Sequence, residues 1–250
     1  MRTALGQNST LVLPIGTGTR AYIIDDMIGS GATCIVYSAH YKDHAGQRHR
    51  VHIKECYPYS AQITRSGNQI CWAEENERDY ALTKFRSTYQ KLLEMQNTQG
   101  LRNATAHAFE LCEANGTLYS VMNVNEGKTF EQDISSSLSD ILKTVLALTR
   151  VVGKYHENGY LHLDIKPSNF LTIPETRELV ILFDMDSVTS INYFDENNTH
   201  AYFNEVVDTL QRTKQPYYLY IRPMMAAWNY FGSSCSTVPA VLQWFQAASH

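Results

Sequence analysis

The chain has no apolar run long enough to cross a bilayer, no Cys-x-x-Cys pair and no excess of basic residues. The first absence argues against a membrane-spanning helix, which needs about 20 consecutive apolar residues. The stretch from 217 to 249 comes nearest, but Pro223, Gly232, Pro239 and many polar residues break it. Residues 1–18 also lack the basic start and apolar core of a secretion signal, so a soluble, cytoplasmic chain with no membrane partner is expected. Export by a route that leaves no such signal stays open. Five scattered cysteines, Cys34, Cys56, Cys71, Cys112 and Cys235, cannot all pair within one chain and read as reduced thiols. A net charge of -4 gives no electrostatic reason to propose a nucleic-acid partner. His40, His44, His49 and His52 are clustered, but the Cys/His or His/carboxylate sets of zinc sites are missing, and Gly46 points to a hairpin. At 250 residues and 44% hydrophobic, the chain can bury an ordinary core.

What is present is concentrated in His162-Leu163-Asp164-Ile165-Lys166-Pro167-Ser168-Asn169. This octet puts a carboxylate, an ammonium and an amide carbonyl on one short loop. Those groups can orient a hydroxyl, steady a transferring phosphoryl group and hold a magnesium ion. A polar loop between a helix and a strand is the plain alternative, and the flanks weigh against it. Upstream, Leu138, Ile141, Leu142, Val145, Leu146, Leu148, Val152 and Tyr155 recur at the spacing of one helix face, with a cap in residues 135–137 and a stop at Gly159. Downstream, Leu179-Val180-Ile181-Leu182-Phe183 is a short buried-strand pattern ending on Asp184.

From Leu11 to Ser187 the motifs resemble, in order, a eukaryotic-type Ser/Thr protein kinase of the bacterial branch. Ile28-Gly29-Ser30-Gly31-Ala32-Thr33-Cys34-Ile35-Val36-Tyr37 resembles the glycine-rich loop, a hairpin whose bare backbone closes over phosphates. Val51-His52-Ile53-Lys54-Glu55 resembles the strand whose lysine grips the alpha and beta phosphates, and 118–127 resembles the fifth strand and hinge. Phe85, Tyr89, Leu92 and Leu93 fall at helical spacing, as the small-lobe helix requires.

The resemblance implies an α+β, two-lobed fold. A small antiparallel sheet with one helix would fill 1–124, and a mainly helical lobe 125–250. It implies ATP and Mg2+ as cofactors and a protein substrate. Asp164 would orient the substrate hydroxyl, Lys166 neutralise the transferring phosphoryl group, and Asn169 and Asp184 hold the metal. Nucleotide contacts would come from Gly29, Ser30, Gly31, Val36, Lys54 and Leu171, with Met122 as gatekeeper and the backbones of Asn123 and Asn125 reading adenine.

Departures from the family pattern remove parts of the usual machine. Leu163 stands where many kinases carry the arginine that clamps a phosphorylated activation loop, so control by loop phosphorylation is not expected. His52 replaces a small residue over the adenine. Asp184-Met185-Asp186-Ser187 replaces Asp-Phe-Gly, and Asp186 reads as a turn residue rather than a second metal ligand. Aligning Phe85 with the usual helix phenylalanine puts Thr88 where the partner of Lys54 is expected. No Ala-Pro-Glu motif follows Asp184, and 217–249 carries Arg222 as its single formal charge among many aromatics, a composition that suits a buried cap or a partner-docking surface. Three readings stand: an active Ser/Thr kinase, a pseudokinase scaffold, and a kinase-like enzyme that transfers AMP.

Overall fold

The computed structural model describes residues 2–59, 62–125, 127–130, 137–173 and 179–190. The chain divides into two compact units, Met1–Gly127 and Lys128–His250.

In the first unit, β1 (Thr10–Ile15), β2 (Gly18–Ser30), β3 (Cys34–Lys42) and β4 (Arg48–Cys56) run as consecutive antiparallel hairpins. A separate hairpin, β5 (Ile63–Ser66) with β6 (Gln69–Trp72), precedes helix α1 (Glu75–Asn97) and strands β7 (Ala108–Ala114) and β8 (Thr117–Asn123). The main sheet has the order β1-β2-β3-β4-β8-β7, and β1 also lies against β7, so the sheet curls around its own core.

Period-two alternation decides what each face does. Along β4, Val51, Ile53 and Glu55 are buried, while His52 and Lys54 are half-buried on the other face. The inner face adds Leu11, Leu13, Tyr22, Ile24, Ile35, Tyr37, Tyr119 and Val121 to form the main core. Each such side chain, fully buried, contributes about 1.5–3 kcal/mol. Helix α1 packs on the opposite face through Leu82 and Phe85, which meet Cys34, Cys56 and Leu118.

The histidine cluster lies in the β3–β4 hairpin. Asp43 accepts from the backbone N–H groups of Ala45 (2.9 Å) and Gln47 (2.8 Å), and Gly46 takes the left-handed φ of 79° that this turn needs. His40 bonds Asp25 and His49 bonds Asp43, each at 2.8 Å. Among the described residues no group of three or more His, Cys, Asp or Glu could hold a metal ion.

The described residues of the second unit form α2 (Leu138–Glu157) and five short strands: β9 (Lys128–Thr129), β10 (Tyr160–Leu161), β11 (Phe170–Thr172), β12 (Val180–Leu182) and β13 (Thr189–Ser190). Ser137 caps α2 by accepting from the Asp140 N–H at 3.2 Å, and Gly159, at a φ of 80°, ends it. The expected apolar face needs correction. Thr144, Ala147, Val151 and Tyr155 are the buried stripe, whereas Ile141, Leu142, Val145 and Leu146 are exposed. The apolar positions sweep too wide an arc to be buried together. Small side chains, Thr144 and Ala147, occupy the stripe that faces inward.

The architecture is α+β, a multi-stranded antiparallel sheet with two α-helices among the described residues. A mainly helical second lobe was expected; its described part holds α2 alone. The aromatic segment 217–249 lies outside the described residues.

Candidate active site

The loop after β10 draws the acidic and basic groups of the octet together. Lys166 Nζ donates to Asp164 Oδ2 at 2.9 Å, and Asn169 Nδ2 donates to the same oxygen and to the Asp164 carbonyl, each at 3.0 Å. A short 3-10 turn, Pro167–Asn169, returns the chain so that the Asn169 N–H reaches the Lys166 carbonyl at 2.9 Å. Asp164 and Asn169 are buried, while Lys166 keeps 46% of its side chain exposed. Oδ2 is thus occupied twice.

The strand bearing Asp184 is tied to this loop by main chain. The Phe183 N–H donates to the Asn169 carbonyl at 3.1 Å, and His162 Nε2 donates to the Phe183 carbonyl at 3.2 Å. His162 is fully buried, and desolvation pushes its pKa down to about 4. It is therefore neutral at pH 7, with its proton on the nitrogen facing Phe183. Two non-glycine residues here take left-handed backbone, Leu163 at φ 59° and Asp184 at φ 62°. Such conformations cost about 1–3 kcal/mol each and cluster at functional sites. Asp186 sits in the 3-10 turn Met185–Ser187, closed by the Val188 N–H on the Met185 carbonyl at 3.1 Å. Leu171, half-buried on β11, pairs with Thr129 and Ile181.

In the first unit, Val36, Lys54 and Ser120 are neighbours across three strands, and Ser38, His52 and Met122 form the next such row on the same face. Burial, then the Arg50 charge, lowers the His52 pKa. The N–H of Asn123 donates to the His107 carbonyl at 2.9 Å, so this donor, expected to read adenine, is already engaged. Gly29 faces Val36 across the β2–β3 hairpin, whose register shifts twice before the tip. Such bulges re-aim the end of a hairpin. A Cβ added to Gly31 would meet nothing within 4 Å, and one on Gly29 would only touch Val36 at 3.7 Å. Packing within the described chain does not demand these glycines.

On α1 the buried stripe is Leu82, Phe85, Leu92 and Met95, with Tyr89 and Leu93 half-buried. Glu75, Glu77, Asp79 and Glu94 are all exposed, and the half-buried position sought for a carboxylate carries Thr88.

Sequence reasoning missed two features. Arg2 donates to Ser30 Oγ (2.8 Å), to the Gly31 carbonyl (2.7 Å) and to the Tyr57 carbonyl, pinning the glycine-rich loop. No motif marks such a residue. Glu55, beside Lys54 in sequence but on the inner face, accepts from Arg65 at 2.6 Å and from the Tyr37 hydroxyl at 2.8 Å. A charged residue at an apolar position of the β4 alternation was the available signal.

No family model matches the chain, and no curated protein does. Among solved structures it is similar to PpkA-294 in its apo form, at 24% identity and a TM-score of 0.53, over 74% of this chain and 64% of that one. The likeness is one of fold. The chain spans less than two thirds of that protein's length, 64%.

Proposed function

We propose that the protein transfers the γ-phosphoryl group of ATP to a Ser or Thr hydroxyl of a protein substrate, and that it does so without activation-loop phosphorylation. The observation that carries this reading is the Asp164 carboxylate, whose Oδ2 accepts from both Lys166 and Asn169. A carboxylate fixed at one oxygen presents the other in a defined direction, which is what orienting a hydroxyl requires. As the substrate oxygen attacks the γ-phosphorus and the bond to the β-bridging oxygen breaks, its proton passes to Oδ1. Lys166 bridges the carboxylate and the exterior, so its ammonium is placed to offset charge on the transferring group.

Asn169 donates two hydrogen bonds through Nδ2, which turns its amide oxygen the other way. That oxygen and the Asp184 carboxylate would offer Mg2+ the hard oxygen donors it takes. When bound, the ion would neutralise charge between phosphates. Lys54 would contact the alpha and beta phosphates, the backbone of Gly29, Ser30 and Gly31 would line them, and Val36 and Met122 would flank the base. The uncrowded glycines support this assignment. Segment 217–249 is proposed to serve substrate docking.

The test is label transfer from γ-labelled and, in parallel, α-labelled ATP with magnesium, to the protein itself and to a lysate. Transfer of γ label that disappears in Asp164→Ala, with nucleotide binding retained, is expected. Transfer of α label would replace this reading with AMP transfer. ATP binding without transfer of either label would replace it with a pseudokinase scaffold, the reading favoured by an α1 whose carboxylates are all exposed.

A further inference from the structure

Cys34 and Cys56 are direct partners across β3 and β4. Both are thiols, buried at 3% and 2% exposure, and both lie on the Lys54 face beneath Leu82 and Phe85 of α1. The Cys34 carbonyl accepts from the Gly31 N–H at 3.0 Å, which turns the Cys34 backbone toward β2 and away from β4. The adjacent rung is closed by the Tyr57 N–H on the Thr33 carbonyl, also at 3.0 Å. Hydrogen-bonded and non-hydrogen-bonded rungs alternate, so the two cysteines occupy a non-hydrogen-bonded rung. At such rungs Cα atoms stand about 4.5 Å apart and side chains are at their closest. Disulfides accept Cα separations of about 4.4–6.8 Å, so this rung meets the requirement at its short end.

We infer that Cys34 and Cys56 form an oxidative modification site, closed by hydrogen peroxide to a cross-strand disulfide. One sulfur, as thiolate, attacks a peroxide oxygen; the O–O bond breaks, and a sulfenic acid and, after protonation, one water result. The second sulfur attacks the sulfenic sulfur, the S–O bond breaks, and the hydroxyl leaves with a proton as the second water. In sum, two thiols lose two electrons and two protons, and one peroxide becomes two waters. Two contacts of the thiols are long: Cys34 Sγ to Thr33 Oγ1 at 3.4 Å and Cys56 Sγ to the Ala81 carbonyl at 3.8 Å. The tip immediately before Cys34, residues 30–32, is exposed. Cys112 offers no equivalent, since it lies in the inner core and burial pushes its thiol up to about 11. Cys71 is exposed and serves as the internal measure of oxidant dose.

The consequence rests on the nucleotide-binding reading of the glycine-rich loop. A disulfide would fasten the root of that loop to the strand that carries Lys54, two residues before Cys56. Closure over phosphates needs the tip to move. If the crosslink depopulates the closed state by about tenfold, the apparent Kd for nucleotide rises by the same factor.

The experiment exposes the full chain to graded hydrogen peroxide, alkylates remaining thiols with iodoacetamide, and maps peptides without reduction. A Cys34–Cys56 crosslinked peptide, reversed by dithiothreitol and absent in Cys56→Ala, is the expected result. Recovery of both cysteines as alkylated or sulfinic forms, at a dose that oxidises Cys71, overturns the site. Binding of a fluorescent ATP analogue is then compared before and after oxidation. A rise on the order of tenfold in Kd in the parent protein, absent in oxidised Cys56→Ala, supports control of the loop. An unchanged Kd in crosslinked protein overturns that control. Reduced protein that binds no analogue refutes the nucleotide reading instead, and leaves the crosslink result standing.

Discussion

Replacing Arg65 by Met should destabilise the first unit far more than a surface substitution would. The Arg65 and Glu55 side chains are 4% and 0% exposed, and Nη2 meets Oε2 at 2.6 Å. Arg65 Nε also donates to the Thr3 carbonyl at 2.7 Å, and its Cζ lies 5.0 Å from the centre of the Tyr57 ring. Burial first, and then the Glu55 charge, push the Tyr37 and Tyr119 hydroxyls upward, so both stay protonated near Glu55. Methionine restores volume but no charge, leaving a carboxylate in the core with neutral donors only. Breaking a buried pair from one side costs about 3–5 kcal/mol. Paired replacement, Glu55→Gln with Arg65→Met, removes the stranded charge, so a double-mutant cycle should show coupling of at least about 2 kcal/mol. Urea unfolding at pH 7, followed by far-UV circular dichroism, reads each corner of the cycle. Arg65→Lys should rescue only in part, because an ammonium cannot reach Glu55 and the Thr3 carbonyl in one planar fork. An Arg65→Met cost below about 1 kcal/mol, or an equal cost in the Glu55→Gln background, would refute the reasoning.

Lys54→Met should lower γ-phosphoryl transfer by about 10²–10³ in kcat, with a melting temperature close to that of the parent; steady-state transfer assays and thermal denaturation check the two halves. Buried, neutral His162 carries a pKa lowered to about 4. The unfolded chain therefore binds the extra proton between about pH 6.5 and 4, so stability falls as pH drops through that window. The loss is worth up to about 3 kcal/mol, and unfolding midpoints from pH 8 to 4.5 should slope less steeply in His162→Asn than in the parent. Gly116→Ala should cost about 2–4 kcal/mol, since φ is 72° and the new Cβ would run into the Ile70 carbonyl; thermal unfolding reads it, and a shift within error would show that the β7–β8 turn relaxes freely.

Local signals carried much of the fold. Ser137 and Gly159 bound α2 as their residue types require. Contacts between residues distant in the chain were not legible. Arg2 reaches Ser30, and Arg65 reaches Thr3 and Glu55, through side chains whose partners only the curled sheet brings near. The α2 stripe went wrong for a related reason. Periodicity shows that a helix has an apolar side, but the packing surface picks which arc is buried, and Ala147 and Thr144 fit it where Leu142 and Leu146 do not.

The two faces of β4 explain how a site could keep its lysine while α1 offers only exposed acids. Residues 54 and 55 point oppositely, so Lys54 lies on the α1 side and Glu55 in the core. Glu55 is clamped by Arg65 from β5 and by Tyr37 from β3, which fixes the register of β4 against its neighbours. A one-residue slip would exchange the two side chains between faces and bury the ammonium. Backbone position at Lys54 is thus specified from the inner face, whatever the helix supplies. Arg65→Met should therefore weaken nucleotide binding even under conditions where the fold persists, whereas a core variant remote from β4, Leu13→Ala, should lower stability without that effect. Titration of the fluorescent ATP analogue at low temperature separates the two; equal affinities in both variants would show that β4 needs no such anchor.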